Sequence, residues 1–257
     1  YIRLTFTGNE KNGFIPAVWN VKVFSDGTDP FENNNEPFNK QADKPAEKRK
    51  GLLFEVNAGN YETGSYLGRI KNELNPEQGF DAMAMPVTIK EVDGKKAFAF
   101  NGRQQFRSDF GLPNTMTGNP VYTISAWVAS PAPEENECII DLNESWGELH
   151  KVILGYGTSP RSGITMHHGW YEDMGLDELP TGEKWNHVVV TFDGYKEKIY
   201  LNGVFMKEKD IFLAVSECKK LTLGTKFDGE HPFGGYLHSL KVYDTVVSDN
   251  DIKNNNL

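Results

Sequence analysis

The sequence predicts an all-β protein, a two-sheet antiparallel sandwich preceded by an extra β-hairpin. Three observations carry that reading. First, Lys184-Trp185-Asn186-His187-Val188-Val189-Val190-Thr191-Phe192-Asp193-Gly194 is followed closely by Ile199-Tyr200-Leu201-Asn202-Gly203. Two alternating apolar runs, each closed by a Gly-containing turn, spell consecutive antiparallel strands. Second, turn dipeptides such as Asp93-Gly94, Asn101-Gly102, Asn119-Pro120 and Asp228-Gly229 separate many short apolar runs, with no long segment of 3.6-residue period between them. Third, aromatic residues make up 12% of the chain alongside 25 Gly and 13 Pro, a composition of short strands and turns.

Taken in order, residues 1–24 read as a hairpin. Tyr1 to Thr7 alternate, a polar turn spans Gly8 to Gly13, and Ala17 to Phe24 alternate again, with Trp19 read as packing. The chain opens mid-strand, which predicts a piece of a longer polypeptide. Residues 25–50 lose all periodicity through a triple Asn, prolines and the basic cluster Lys44 to Lys50, so they read as a linker and a domain boundary. From Leu52 onward strands are expected near 52–56, 87–91, 96–100, 122–128, 138–142, 152–156, 163–167, 185–192, 198–201, 221–224 and 235–243. Ser248 stands as N-cap of one closing helical turn.

With 257 residues the chain is ample for a substantial core. Its net charge of −9 repels phosphates and argues against a nucleic-acid surface. No apolar run approaches the roughly 20 residues of a membrane span. Cys138 and Cys218 are the only cysteines. Spacing does not decide whether they pair, and the apolar strand around Cys138 favours free thiols.

Over 51–257 the chain resembles the laminin-G-like, concanavalin A-like lectin/glucanase jelly-roll domains of secreted bacterial proteins. Six pieces in the family's order carry this: Phe98-Ala99-Phe100-Asn101-Gly102, Tyr122 to Val128, Lys184 through Gly194, Ile199 to Gly203, Leu221-Thr222-Leu223-Gly224, and Gly235 to Tyr243. Residues 1–24 resemble the closing strands of a discoidin-like, galactose-binding-like domain, here truncated. The resemblance implies a non-catalytic, extracytoplasmic carbohydrate-binding module of a larger protein, secreted or held at the cell surface, periplasmic or anchored at an outer membrane. Its expected partners are a polysaccharide or glycan and neighbouring domains of the same polypeptide. The alternative is a structural or protein-interaction spacer that binds no sugar.

An enzyme reading tests poorly. Glucanases of this fold place catalytic carboxylates on one strand, about 5–5.5 Å apart for retention. Here Ile139-Ile140-Asp141-Leu142-Asn143-Glu144 puts Ile139 at the nucleophile position. No HExxH, Cys-x-x-Cys or Gly-x-Ser-x-Gly occurs. The most unusual local composition is His167-His168-Gly169-Trp170-Tyr171. Exposed aromatic faces stack on pyranose C–H faces, and carboxylate and imidazole groups take hydroxyls. The expected ligand-binding residues are therefore Trp146 and Trp170 for stacking, with His167, His168 and Asp173 for hydroxyl contacts. The resemblance adds a His-x-Gly…Asp-x-Gly pattern, matched by His167, Gly169, Asp173 and Gly175. Trp127 and Trp185 are expected in the core. No cofactor is expected. Calcium is the one ion the resemblance implies, and His238 stands where its Asp ligand would, leaving Asn101 and Asp109 as remaining candidates.

Overall fold

Contacts divide the chain into two units, Tyr1–Ala42 and Asp43–Leu257. The computed structural model describes residues of the second: 50–134, 137–157, 163–169, 172–178, 185–254 and 257. The expected hairpin over 1–24, the linker apart from Lys50, and Trp170 lie outside the described residues.

The strands run in chain order as β1 (Leu52–Asn57), β2 (Tyr66–Leu67), β3 (Arg69–Asn72), β4 (Asn75–Ala82), β5 (Val87–Val92) and β6 (Lys95–Asn101). They continue as β7 (Phe106–Ser108), β8 (Tyr122–Ala129), β9 (Cys138–Asp141), β10 (Ile153–Gly157), β11 (Gly163–His167) and β12 (Met174–Gly175). The last are β13 (Asn186–Phe192), β14 (Lys196–Leu201), β15 (Val204–Asp210), β16 (Thr222–Leu223) and β17 (Gly234–Tyr243), followed by helix α1 (Asp249–Lys253). Ser248 caps α1 as expected, its side chain accepting from the Asp251 amide.

Two antiparallel sheets form the sandwich. One has nine strands in the order β15-β14-β13-β8-β17-β6-β5-β2, with β1 added against β17; the other has eight, β12-β11-β10-β9-β16-β7-β4-β3. The β13–β14 register pairs Val188 with Leu201 and Phe192 with Glu197, and Asn202 and Gly203 take positive φ of 51° and 79° in the following turn. This is the type I′ geometry that Asn-Gly favours.

Side-chain alternation sorts the faces. Tyr122, Ile124, Ala126 and Val128 of β8 meet Ile140, Leu154, Met166 and Leu223 of the other sheet in one core. The same alternation corrects the expectation for Trp127. It lies on the outer face of the nine-stranded sheet, stacked on His187 at 4.8 Å, with the Lys95 ammonium 4.6 Å above its ring. Trp185 is likewise only partly buried, its indole N–H donating to the Val92 carbonyl at 2.9 Å. Both cysteines are free and buried.

Candidate functional site

A row of side chains crosses the outer face of the eight-stranded sheet. Directly paired residues share a face, and successive registers link Arg69 to Asp81, Arg107, Thr222, Asp141, Ile153 and His167. Arg69 pairs with Asp81 at 2.7 Å, and Arg107 forms an ion pair with Glu144. The centre of the row is covered, because Asp141 and Ile153 are each 1% exposed.

The cover is made of two loops that Asp141 holds together. One Asp141 oxygen accepts from the Phe227 amide at 3.2 Å, and the other accepts from the Asn143 amide at 3.1 Å. Burial pushes the Asp141 carboxyl up to about 7, against the pull of those two amides and of Lys151 and Lys226. Beyond Asn143 the chain reaches Trp146, which leans edge-on against Phe227 with ring centroids 4.8 Å apart. Trp146 is nevertheless 69% exposed, so one ring is braced by the other while most of its surface faces water. Its loop is anchored further on. The Asn143 side chain accepts from the Val152 amide at 3.0 Å, and Leu149 is held at φ 63°, its amide donating to the His168 carbonyl.

In the described residues 167–169 and 172–175, the side chains expected at the site bond to the protein itself. Asp173 accepts from His167 Nδ1 at 2.9 Å and from the backbone amides of His168 and Gly169 at 2.9 and 3.2 Å. Burial raises the Asp173 carboxyl, but the His167 hydrogen bond and charge with the His168 amide and ring outweigh it and hold it below the usual range. His167 Nε2 is buried and makes no hydrogen bond among the described residues. It lies over Gly155, where an added Cβ would stand 3.3 Å away. His168 is 0% exposed. Its Nδ1 donates to the Lys151 carbonyl at 3.0 Å, and Nε2 faces Glu197 at 3.0 and 3.1 Å. The hydroxyl contacts expected of His167, His168 and Asp173 are therefore corrected: both ring nitrogens of each histidine are turned inward, and the carboxylate is occupied by the turn. The acidic neighbours follow suit, Glu172 pairing with Lys209 at 2.7 Å and Asp177 with Lys207 at 3.3 Å.

Asp141 and Glu144, the pair considered for an enzyme, have separate partners: two backbone amides for the first and the Arg107 guanidinium for the second. The residues considered for calcium do not fit a shared oxygen cage. His238 Nδ1 donates to the Lys96 carbonyl at 2.7 Å. Asp109 is held between Arg69 at 2.5 Å and the Gly79 amide at 2.9 Å, while Asn101 ends β6 in the other sheet.

Residues 102–253, more than half of the chain, match the family model described as the concanavalin A-like lectin/glucanases superfamily. The chain belongs to the concanavalin A-like lectin/glucanase superfamily. Among solved structures, this superfamily domain is similar to domain 4 of AbnA, an extracellular GH43 arabinanase of Geobacillus stearothermophilus solved with arabinotriose. The TM-score is 0.61 at 15% identity, over 79% of this chain and 97% of that one. It is also similar to the binding domain of Paraclostridial Mosquitocidal Protein 1, with TM-score 0.58 and 14% identity over 79% of this chain and 51% of that one. A third is the binding domain of botulinum neurotoxin DC in complex with rat synaptotagmin II, with TM-score 0.54 and 12% identity over 79% of this chain and 50% of that one. The superfamily domain thus spans about half of each toxin chain, and at these identities the likeness is one of fold. No curated protein matches the chain.

The contact of Phe227 with Trp146 and the bonds by which Asp141 pins the two loops were not legible in the sequence. Phe227 stands beside the Asp228-Gly229 turn, and an aromatic residue beside a turn dipeptide was the available signal.

Proposed function

We propose that residues 51–257 form a non-catalytic, extracytoplasmic carbohydrate-binding module of a larger secreted or surface-held protein, with Trp146 as its stacking platform. The observation that carries this is a tryptophan left 69% exposed while its ring packs against Phe227. A large apolar ring held rigid in water costs little further ordering when a pyranose C–H face covers it. Lys151 and Lys226 act on the Asp141 carboxyl that pins these loops, and Glu144, two residues before Trp146, pairs with Arg107. AbnA domain 4, bound to arabinotriose and matched over nearly its whole length, supports a sugar as ligand. So does a further structure of the neurotoxin DC binding domain in complex with SialylT, at TM-score 0.54 and 13% identity over 80% of this chain and 51% of that one. Binding at one such platform is weak, and its use is in avidity with neighbouring modules.

The test is a glycan-array and polysaccharide-retardation screen of the chain, with calcium and with chelator, alongside Trp146→Ala and Trp170→Ala. Loss of retention in Trp146→Ala supports the reading. A folded protein retained by no polysaccharide refutes it. The second reading, a protein-interaction spacer, is favoured by one edge of the sandwich: Val204, Phe205 and Met206 of β15 are 61%, 48% and 45% exposed, an open strand edge of the kind that takes up partners.

A further inference from the structure

β9 has two ends, and the second one carries a built depression of its own. Trp146 lies beyond the C-terminal end of β9, while Glu137 immediately precedes its first residue. Four residues of strand separate the two loops, roughly 13 Å at the usual rise per residue. Around Glu137 a depression of about 400 Å³ is walled by Pro131, Pro232 and Tyr236, with Arg103 and Glu134 at its rim. Two glycines at the start of β17 line it and pack too closely on their neighbours to carry a side chain. A Cβ on Gly234 would come within 3.0 Å of a Glu137 oxygen, and one on Gly235 within 2.7 Å of the Ala129 carbonyl and the Phe233 ring.

Glu137 is the unexplained group there. It is 2% exposed. Oε1 accepts from the Gly234 amide at 2.9 Å and the Glu134 amide acts on the carboxyl, but Oε2 is buried and completes no hydrogen bond among the described residues. A buried carboxylate oxygen without a partner costs a full desolvation penalty, so such groups call for an explanation. The sheet ladder does not supply one, because Glu137 contributes to it only through its backbone carbonyl, which accepts from the Tyr156 amide.

We propose that this depression is a second ligand site, separate from Trp146, that takes a single neutral sugar residue whose hydroxyl donates to Glu137. The chemistry favours a neutral hydroxyl over a charged group. Arg103 and Glu134 place one charge of each sign at the rim, which selects for neither. Burial pushes the Glu137 carboxyl up to about 7, the Gly234 and Glu134 amides opposing it. Near neutral pH the group is therefore shared between its two protonation states. A hydroxyl satisfies both, donating to the carboxylate and accepting from the acid, whereas an ammonium pairs with only one. The Tyr236 ring and the two prolines offer the apolar wall a sugar ring needs. This site stands whether or not Trp146 binds sugar.

Saturation-transfer NMR on the full chain decides it, with arabinose, galactose, glucose, mannose and N-acetylglucosamine as separate probes. Wild type is compared with Trp146→Ala, Glu137→Gln and Tyr236→Ser. At least one sugar is expected to give as strong a transfer signal with Trp146→Ala as with wild type, and to bind Glu137→Gln about tenfold more weakly, the loss of one charge-assisted hydrogen bond. Tyr236→Ser leaves the buried carboxylate in place and is expected to weaken the same sugar, which keeps the test valid if Glu137→Gln does not fold. A transfer signal that vanishes in Trp146→Ala but persists in Glu137→Gln and Tyr236→Ser overturns this site and leaves the Trp146 reading standing. The absence of any signal with Trp146→Ala overturns it as well.

Discussion

His168 is fully buried with both ring nitrogens facing acceptors. Its Nδ1 must donate, since the Lys151 carbonyl only accepts, and Nε2 faces both oxygens of Glu197, which also accepts from Tyr122 OH at 2.6 Å. Burial pulls the His168 pKa down, but the charge and hydrogen bond of Glu197, with the Lys151 carbonyl, outweigh it and leave it above the usual value. Removing one partner strands the other charge, so Glu197→Leu is expected to cost about 3–5 kcal/mol in denaturant unfolding, and the double variant His168→Leu/Glu197→Leu to recover much of that loss. A raised histidine pKa stabilises fully below the unfolded value of about 6.5 and loses its contribution as pH rises through the folded value. Stability measured from pH 6 upward should therefore fall in wild type through an arm that the double variant lacks. Asp141 acts in the same direction as His168, the reverse of the usual paired carboxylate. Its pKa rises from 3.8 to about 7, so across that window the folded state holds a proton the unfolded state has released, and stability falls as pH rises. Asp141→Asn is expected to flatten part of that slope in urea melts between pH 4 and 7. An unchanged slope would contradict the burial of this carboxyl.

Among the elements, β10 shows how a strand's small residue shapes the site. A Cβ on Gly155 would meet the Glu137 carbonyl at 3.0 Å and His167 Nε2 at 3.3 Å. Gly155→Ala is therefore expected to destabilise by about 1–3 kcal/mol through overpacking, measured by thermal or urea unfolding; a neutral result would mean that the His167 ring moves freely. The elements also show what the sequence could disclose. The β13–β14 hairpin was legible because its apolar alternation and its Asp-Gly and Asn-Gly turns all point one way. Strand β4 was not, since Pro76 and Gly79 interrupt Asn75–Ala82 and only pairing with β3 and β7 makes it extended. Strand β15 reads Val-Phe-Met-Lys-Glu-Lys-Asp, a pattern with little alternation that is set by its neighbour β14. Trp127 was misplaced for a related reason. Its neighbours on both sides are apolar, and one alternating register cannot be chosen over the other until the facing sheet is known.

At the scale of the whole molecule, the superfamily was legible because six ordered pieces span the domain, whereas the site was legible only in part. Trp146 is exposed as its loop composition suggested. The roles of His167, His168 and Asp173 depend on Lys151 and Glu197 as well as on one another, and hydrogen bonds between residues 17 and 29 apart leave no local mark. A two-sheet sandwich brings loops from distant strands to each end of β9, which is why Asn143 and Phe227 converge on one carboxylate. We propose that sugar binds on the resulting Trp146–Phe227 pair. Titration of wild type and Trp146→Ala against the best polysaccharide from the screen tests that most directly. Loss of a stacked indole should raise Kd by about tenfold or more with the unfolding midpoint unchanged. Equal affinity in the two proteins would contradict it.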